Sequence, residues 1–345
     1  MKLETGKLDS ELLKKIVFGK ITYRSDDVSV RPGIGEDCAV MDFGDHDCIM
    51  STDPISSAVS DIGRLAIHIT CNDIASNGVQ PLGIMLAVML PEGTTEEDVD
   101  HIMEQAAQTA AEVKVEIIGG HTEITPAVKQ PVIVSTAIGK ALKGVSQSGN
   151  DMVSGDFIMM TKAVGLEGSG IIASDYEEQL SSVLSAKELA RAKSFLELVS
   201  VVPEGVAAGS IGTHGMHDIT EGGILGAVWE MCQISGRGAQ VWEHEIPIEP
   251  ETVKICEHYE IDPLRLISSG SMVIIVPKEK KEQMEKAMAE AGVACSIIGR
   301  IEEADFGIRL LKNGAPESGA SASSKELVEI DPPYMDELYK VVGKE

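Results

Sequence analysis

The chain opens on a short amphipathic run. Leu12, Leu13, Ile16 and Val17 share one face of residues 9–18, and Asp9 or Ser10 is placed to cap the first turn. Apolar residues then gather into two short expected strands, Val40–Asp42 and CIMST at 48–52, the second ending at Asp53-Pro54. Ile62, Leu65, Ala66, Ile69, Ile74 and Ala75 recur near helical spacing, which predicts a helix over 61–77 closed by Asn77-Gly78. LGIMLAVML (82–90) is a continuous apolar run between Pro81 and Pro91-Glu92-Gly93, the mark of a buried strand. Thr94 or Thr95 caps a helix to about Val113, with Glu96, Glu97 and Asp98 at its positive end. VEII (115–118) predicts a strand ending at Gly119-Gly120-His121-Thr122, and PVIVSTAIG (131–139) predicts another.

The polar, glycine-rich KGVSQSGNDMVSGD interrupts this order and sets an expected boundary near residue 150, between domains 1–150 and 151–345. Beyond it the pattern predicts a strand at 157–161 and helices near 165–174, 185–199, 203–210 and 221–235. A strand near 239–242, a helix at 250–259, a strand at 272–276, a helix at 278–291 and strands near 295–301 and 307–311 follow. GAPESGASASS (314–324) is expected to be a mobile loop. Strands and helices do not alternate as in a doubly wound sheet. The expected class is therefore α+β, two domains of mixed sheets with packed helices.

Charge and composition narrow the function. Among 345 residues, 29 Lys+Arg stand against 55 Asp+Glu, a net charge of −26 that excludes broad binding to nucleic acid or an anionic membrane. Aromatics are 3%, too few for a base-stacking platform. A local phosphate site is not excluded, since glycine amides, a helix N-terminus or a metal can hold one. The six cysteines form no CxxC pair, the N-terminus lacks a signal-peptide pattern, and no apolar run approaches the roughly 18 residues of a membrane span. A soluble cytoplasmic protein with reduced thiols is expected.

Acids and glycines cluster where chemistry is plausible. Gly33-Ile34-Gly35-Glu36-Asp37 reads as a turn, or as amides facing an anion with Asp37 holding a cation beside it. Asp53 follows a strand, where an Asp-Pro turn is the alternative. Asn72-Asp73 lies inside an apolar helix, and such a pair needs partners, because leaving a buried polar group unpaired costs roughly 1–3 kcal/mol. Gly119-Gly120-His121-Thr122-Glu123 sits at a strand end; His121 either orients phosphate or a metal-bound water, or stabilises a turn. His217-Asp218-Ile219-Thr220-Glu221-Gly222-Gly223 precedes a helix as a cap or a phosphate cradle, with His214 and His217 read as loop residues. Together these segments fit a Mg²⁺-loaded nucleotide, since Mg²⁺ takes one or two carboxylates plus phosphate oxygens and water. The sequence contains no GxxxxGK[ST], HExxH or GxSxG.

In order, GIGEDCAV, STDPI, GRLAIHITCNDIASNGVQPLG, GGHTEIT, TKAVGLEGSG and MHDITEGGILGAVWEM resemble the aminoimidazole ribonucleotide synthetase (AIR synthase) superfamily over about residues 30–300. That group includes HypE-like hydrogenase maturation proteins, selenophosphate synthetase and thiamine monophosphate kinase, and NDIASNGVQPLG and HDITEGG look most like the HypE branch. The resemblance implies a homodimer whose N-terminal domains pair into a shared β-barrel. It implies ATP with Mg²⁺ as cofactors, and activation of an amide- or carboxyl-like oxygen of a small molecule by phosphorylation. Carried onto this chain, Asp37, Asp53 and Asp73 look like the Mg²⁺–ATP ligands. Gly35, Asn72, Gly119, Gly120 and Thr122 fall in the nucleotide-binding motifs, and Asp218 and His121 match the catalytic candidates. There are departures. Glu36 stands where many relatives carry a second Asp. The chain ends DELYKVVGKE with its last cysteine at Cys295, so the terminal cysteine that carries the carbamoyl group in HypE is not expected here. No cysteine precedes Cys38, against the selenophosphate reaction. Two functions follow: an ATP-dependent enzyme acting on a small-molecule or carbamoyl-like substrate, or a non-catalytic nucleotide-binding partner of maturation proteins.

Overall fold

A computed structural model describes residue 8, residues 10–56, 59–145, 147, 149–312 and 327–342. The expected loop at 314–324 lies outside the described residues, as does Asp9. Two sheets carry the fold. The first has order β1-β2-β3-β6-β4-β5, built from β1 (Val28–Val30), β2 (Ala39–Asp42), β3 (His46–Ile55), β4 (Pro81–Leu90), β5 (Glu116–Ile124) and β6 (Val132–Leu142). Its pairings are antiparallel except β4 with β5. The second has order β13-β12-β9-β11-β7-β10-β8, from β7 (Phe157–Thr161), β8 (Gly215–Asp218), β9 (Gly238–Trp242), β10 (Met272–Val276), β11 (Cys295–Glu302), β12 (Ile308–Leu311) and β13 (Leu327–Glu329). The first sheet's last strand ends at Leu142 and the second sheet's first begins at Phe157. Both are mixed sheets with packed helices, as the α+β reading expected.

The helices longer than four residues are α1 (Ser10–Ile16), α2 (Ile62–Ser76), α3 (Glu96–Val113), α4 (Leu166–Asp175), α5 (Ala186–Ser194), α6 (Val202–Ile211), α7 (Gly223–Ser235), α8 (Pro250–Tyr259) and α9 (Lys281–Glu290). Period-2 alternation puts Ile49, Ser51 and Ile55 of β3, and Ile133, Ser135 and Ala137 of β6, on the face that α2 covers. Only Arg64 of α2 escapes burial, because α2 packs on the first sheet on one side and against α6 and β8 on the other. α3 starts at a capping box: Thr95, not Thr94, accepts from the Asp98 N–H at 3.2 Å while Asp98 accepts from the Thr95 N–H at 2.9 Å.

Two departures from the sequence pattern matter for the site. The strand expected to stop at Gly119 runs on to Ile124, so GGHTEI is strand β5 rather than a turn. A Cβ at Gly120 would lie 1.9 Å from the Leu86 carbonyl oxygen, so only glycine lets β5 approach β4 there. The segment expected to be a loop before α7 contains β8, an edge strand buried along its whole length that pairs with β10. At four residues it is too short to show an alternation.

Candidate functional site

Four separate segments deliver acids to one place. The glycine-rich loop carries Asp37, β3 carries Asp53, α2 carries Asp73, and β8 ends on Asp218. Gly35, in the left-handed region at φ 77°, lets the loop turn close against α7; a Cβ there would lie 2.8 Å from Ile234 Cδ1 and 3.0 Å from the Glu230 carbonyl oxygen. Ser51 Oγ donates to Asp73 Oδ2, and the Cys38 thiol donates to the Asp73 carbonyl oxygen at 3.2 Å. Beside the loop opens a cavity of about 320 Å³ whose wall includes Glu36, Asp37, Cys38, Ser51 and Thr52.

Crowded carboxylates show in their electrostatics. Burial first, and then the charges of Asp53, Asp218 and Asp37, push the Asp73 carboxyl well above its ordinary range. Burial and the same acids raise the Cys38 thiol, which is therefore no ready nucleophile. One cation counters them. His217 on β8, read from the sequence as a loop residue, is 4% exposed and sits among the acids. Its Nε2 lies 3.4 Å from Asp37 Oδ1 and 3.2 Å from Glu230 Oε2, and its Nδ1 lies 2.6 Å from the Asp218 carbonyl oxygen. Burial lowers its pKa, but Asp37, Glu230 and Asp218 outweigh that and push it up to about 10. Its neighbour Asp218 was the only signal pointing to it. The other loop candidate, His214, instead pairs its Nδ1 with Asp156 Oδ2 at 2.7 Å.

Asn72 has found the partners its burial required. Its Nδ2 donates to the Val199 carbonyl at 2.7 Å and its Oδ1 accepts from the Val201 N–H at 2.8 Å, which ties α2 to the segment before α6. Within one chain, Gly119, Gly120, His121 and Thr122 do not join the acids. Asp53 pairs with Ser135, Ser135 with Leu86, and Leu86 with Gly120, so three strand spacings, roughly 14 Å, separate Asp53 from Gly120. His121 is exposed on this edge strand, 3.4 Å from Glu123 Oε2.

Sequence relationships agree with the fold. Residues 35–141 match the N-terminal domain, and residues 153–310 the C-terminal domain, of AIR synthase related proteins. The chain belongs to the AIR synthase/HypE-like superfamily. It is 31% identical over 309 residues to a putative hydrogenase expression/formation protein of Methanocaldococcus jannaschii, covering 85% of this chain and 88% of that one. Carbamoyl dehydratase HypE of Rhodobacter capsulatus is 27% identical over 251 residues, 72% of each chain. The crystal structure of hydrogenase maturation protein HypE in complex with ATP superposes with a TM-score of 0.66 at 22% identity, covering 89% of this chain and 92% of that one. Among the described residues no single helix is long and apolar enough to cross a membrane.

Proposed function

We propose that this chain is an ATP- and Mg²⁺-dependent enzyme that activates an oxygen of a carbamoyl-like or other small-molecule substrate by phosphorylation, acting in hydrogenase maturation. The observation that carries the reading is the meeting of Asp37, Asp53, Asp73 and Asp218 from four separate segments at one buried place beside an open cavity. Relatives named carbamoyl dehydratase HypE, and a HypE structure holding ATP, support the same chemistry. The donor set fits Mg²⁺: these are hard carboxylate oxygens, and burial together with mutual repulsion leaves Asp73 short of positive charge. When bound, Mg²⁺ supplies neutralisation of phosphate charge. Asp37, Asp53 and Asp73 are the residues that would hold it, and Asp218 lies buried beside them at the end of β8. Ser51 fixes the Asp73 carboxylate, and Gly35 brings the Asp37 loop onto α7. Such catalysis is mostly positioning and charge stabilisation.

Homodimerisation, a maturation-protein partner and a cytoplasmic setting belong to this reading. The edge of β5, which has no second strand partner among the described residues, and the open face of the first sheet, with Leu82, Met85, Ile118 and Leu142 exposed, offer the surface for the shared barrel. Calorimetry with Mg²⁺ and a non-hydrolysable ATP analogue tests the site. Wild type binds, and Asp73→Asn weakens binding at least tenfold without lowering Tm, because it removes a repelled buried acid. Equal affinity in the two proteins would overturn the assignment.

A further inference from the structure

Of the family motifs, TKAVGLEGSG supplies none of Asp37, Asp53, Asp73 and Asp218, yet its lysine holds a backbone conformation that side chains disfavour. Lys162 has φ 52°, in the left-handed region, which a non-glycine residue keeps only where its surroundings fix it. Those surroundings are three acceptors from three segments. Lys162 Nζ donates to the Ser200 carbonyl at 2.6 Å, to Glu204 Oε1 at 2.6 Å and to the Gly270 carbonyl at 2.7 Å, so every ammonium proton is used. The Glu204 side chain on α6 is 0% exposed, and Thr161 Oγ1 also donates to its Oε1 at 3.2 Å. Two carbonyl dipoles and a buried carboxylate that converge repel one another, and the ammonium is the charge that holds them together.

Both carbonyls lead to the acids. Ser200 lies between Val199 and Val201, the two residues that Asn72 of α2 grips next to Asp73. Gly270 lies in the turn before β10, where the Ser271 carbonyl accepts from the Ile219 N–H at 2.9 Å and Met272 pairs with Asp218. This turn presses on the Val199 segment, since a Cβ on Gly270 would lie 2.5 Å from the Leu198 carbonyl oxygen. Asp73 falls in the part of the chain that matches the N-terminal family domain, and Asp218 in the part that matches the C-terminal one. We propose that Lys162 is a positioning residue for the acid cluster, whose ammonium sets Asp73 against Asp218 by acting through Asn72 and β10. The assignment rests on the reading of those acids as a Mg²⁺–nucleotide site.

The experiment compares the full wild-type chain, Glu204→Gln, and Lys162→Met combined with Glu204→Gln. The double variant removes both charges, so no carboxylate is left buried alone. Binding of a non-hydrolysable ATP analogue is measured by calorimetry over a series of Mg²⁺ concentrations, beside Tm. Misfolding lowers the number of sites per chain, whereas misplaced acids raise the Mg²⁺ needed to fill them. Loss of an outer partner of a metal site costs about 10–100-fold in metal affinity, so the double variant is expected to need at least ~10-fold more Mg²⁺ for half-maximal binding at unchanged stoichiometry. Glu204→Gln alone leaves Lys162 on both carbonyls and is expected to fall closer to wild type. A folded double variant that needs no more Mg²⁺ than Glu204→Gln, or that only loses sites, overturns the proposal. Should the double variant not fold, Lys162→Arg takes its place. Its planar fork keeps the charge without the three converging bonds, so a raised Mg²⁺ requirement is expected and an unchanged one overturns the proposal. A wild type that binds no analogue at any Mg²⁺ concentration would instead overturn the proposed function, and this assignment with it.

Discussion

Buried carboxyls in this chain meet two different fates. At the Asp73 cluster, acids from separate elements converge beside an open cavity, and His217 offsets part of their charge. Glu167, on α4 of the other sheet's layer, is buried with no ion-pair partner among the described residues. Burial first, then Asp336 and Glu221, raise its carboxyl from 4.5 to about 7, against hydrogen bonding by Ser269. The sign of the linkage follows. Folded chain holds the Glu167 proton more tightly than unfolded chain, so this group's stability is complete below pH 4.5 and is lost as pH rises towards 7. Above that both states are ionised and the loss is complete, on the order of 3 kcal/mol. Glu167→Gln has no such proton to lose. Urea unfolding at pH 4.5 and pH 8 is expected to show the variant gaining stability relative to wild type at the higher pH, and a pH-independent difference would refute the assignment.

Elements were legible where their pattern was long. The helical spacing from Ile62 to Ala75 and the apolar run from Leu82 to Leu90 correspond to α2 and β4, because nine or more residues of one pattern outvote local exceptions. β8 was missed because four residues show no period, and with it went His217, the cation at the centre of the acids. The acid positions themselves were readable as motifs. Their convergence was expected from the motifs taken together and from the family resemblance, not from any one segment's pattern, since Asp37 and Asp218 meet only through packing of the loop on α7 and of β8 beside α2. GGHTEI misled in the opposite direction. Two glycines look like a turn, but Gly120 is there because β4 leaves no space for a Cβ. Gly120→Ala is expected to cost at least 2 kcal/mol more than Gly119→Ala, whose added Cβ meets nothing within 4 Å, although both glycines have φ values that favour glycine. Paired denaturant midpoints give the comparison, and equal midpoints would mean that β5 does not lie against β4 as described.

At the scale of the whole molecule, charge and apolar surface pull against each other. A chain carrying −26 repels its own copy, yet the first sheet leaves one face and the β5 edge open, with Leu82 61% and Ile118 51% exposed. β5 is parallel to β4 and has no partner on its other side among the described strands, so its outward N–H and C=O groups are available to a second β5. If burial of this face drives pairing, the contact is hydrophobic and the charge is only a penalty. Salt then screens the penalty and leaves the driving force intact, because the Debye length falls from about 10 Å at 0.1 M towards 3 Å at 1 M. Sedimentation velocity is therefore expected to show a dimer that tightens between 50 and 500 mM salt. Met85→Lys, which places a cation on the open face beside β5, is expected to yield monomer with unchanged circular dichroism. Ion pairs as the main contact would give the reverse, a dimer that loosens with salt and survives the Met85 substitution. A monomer at every salt concentration would remove the shared barrel from the reading while leaving the acid cluster, which is complete within one chain, untouched.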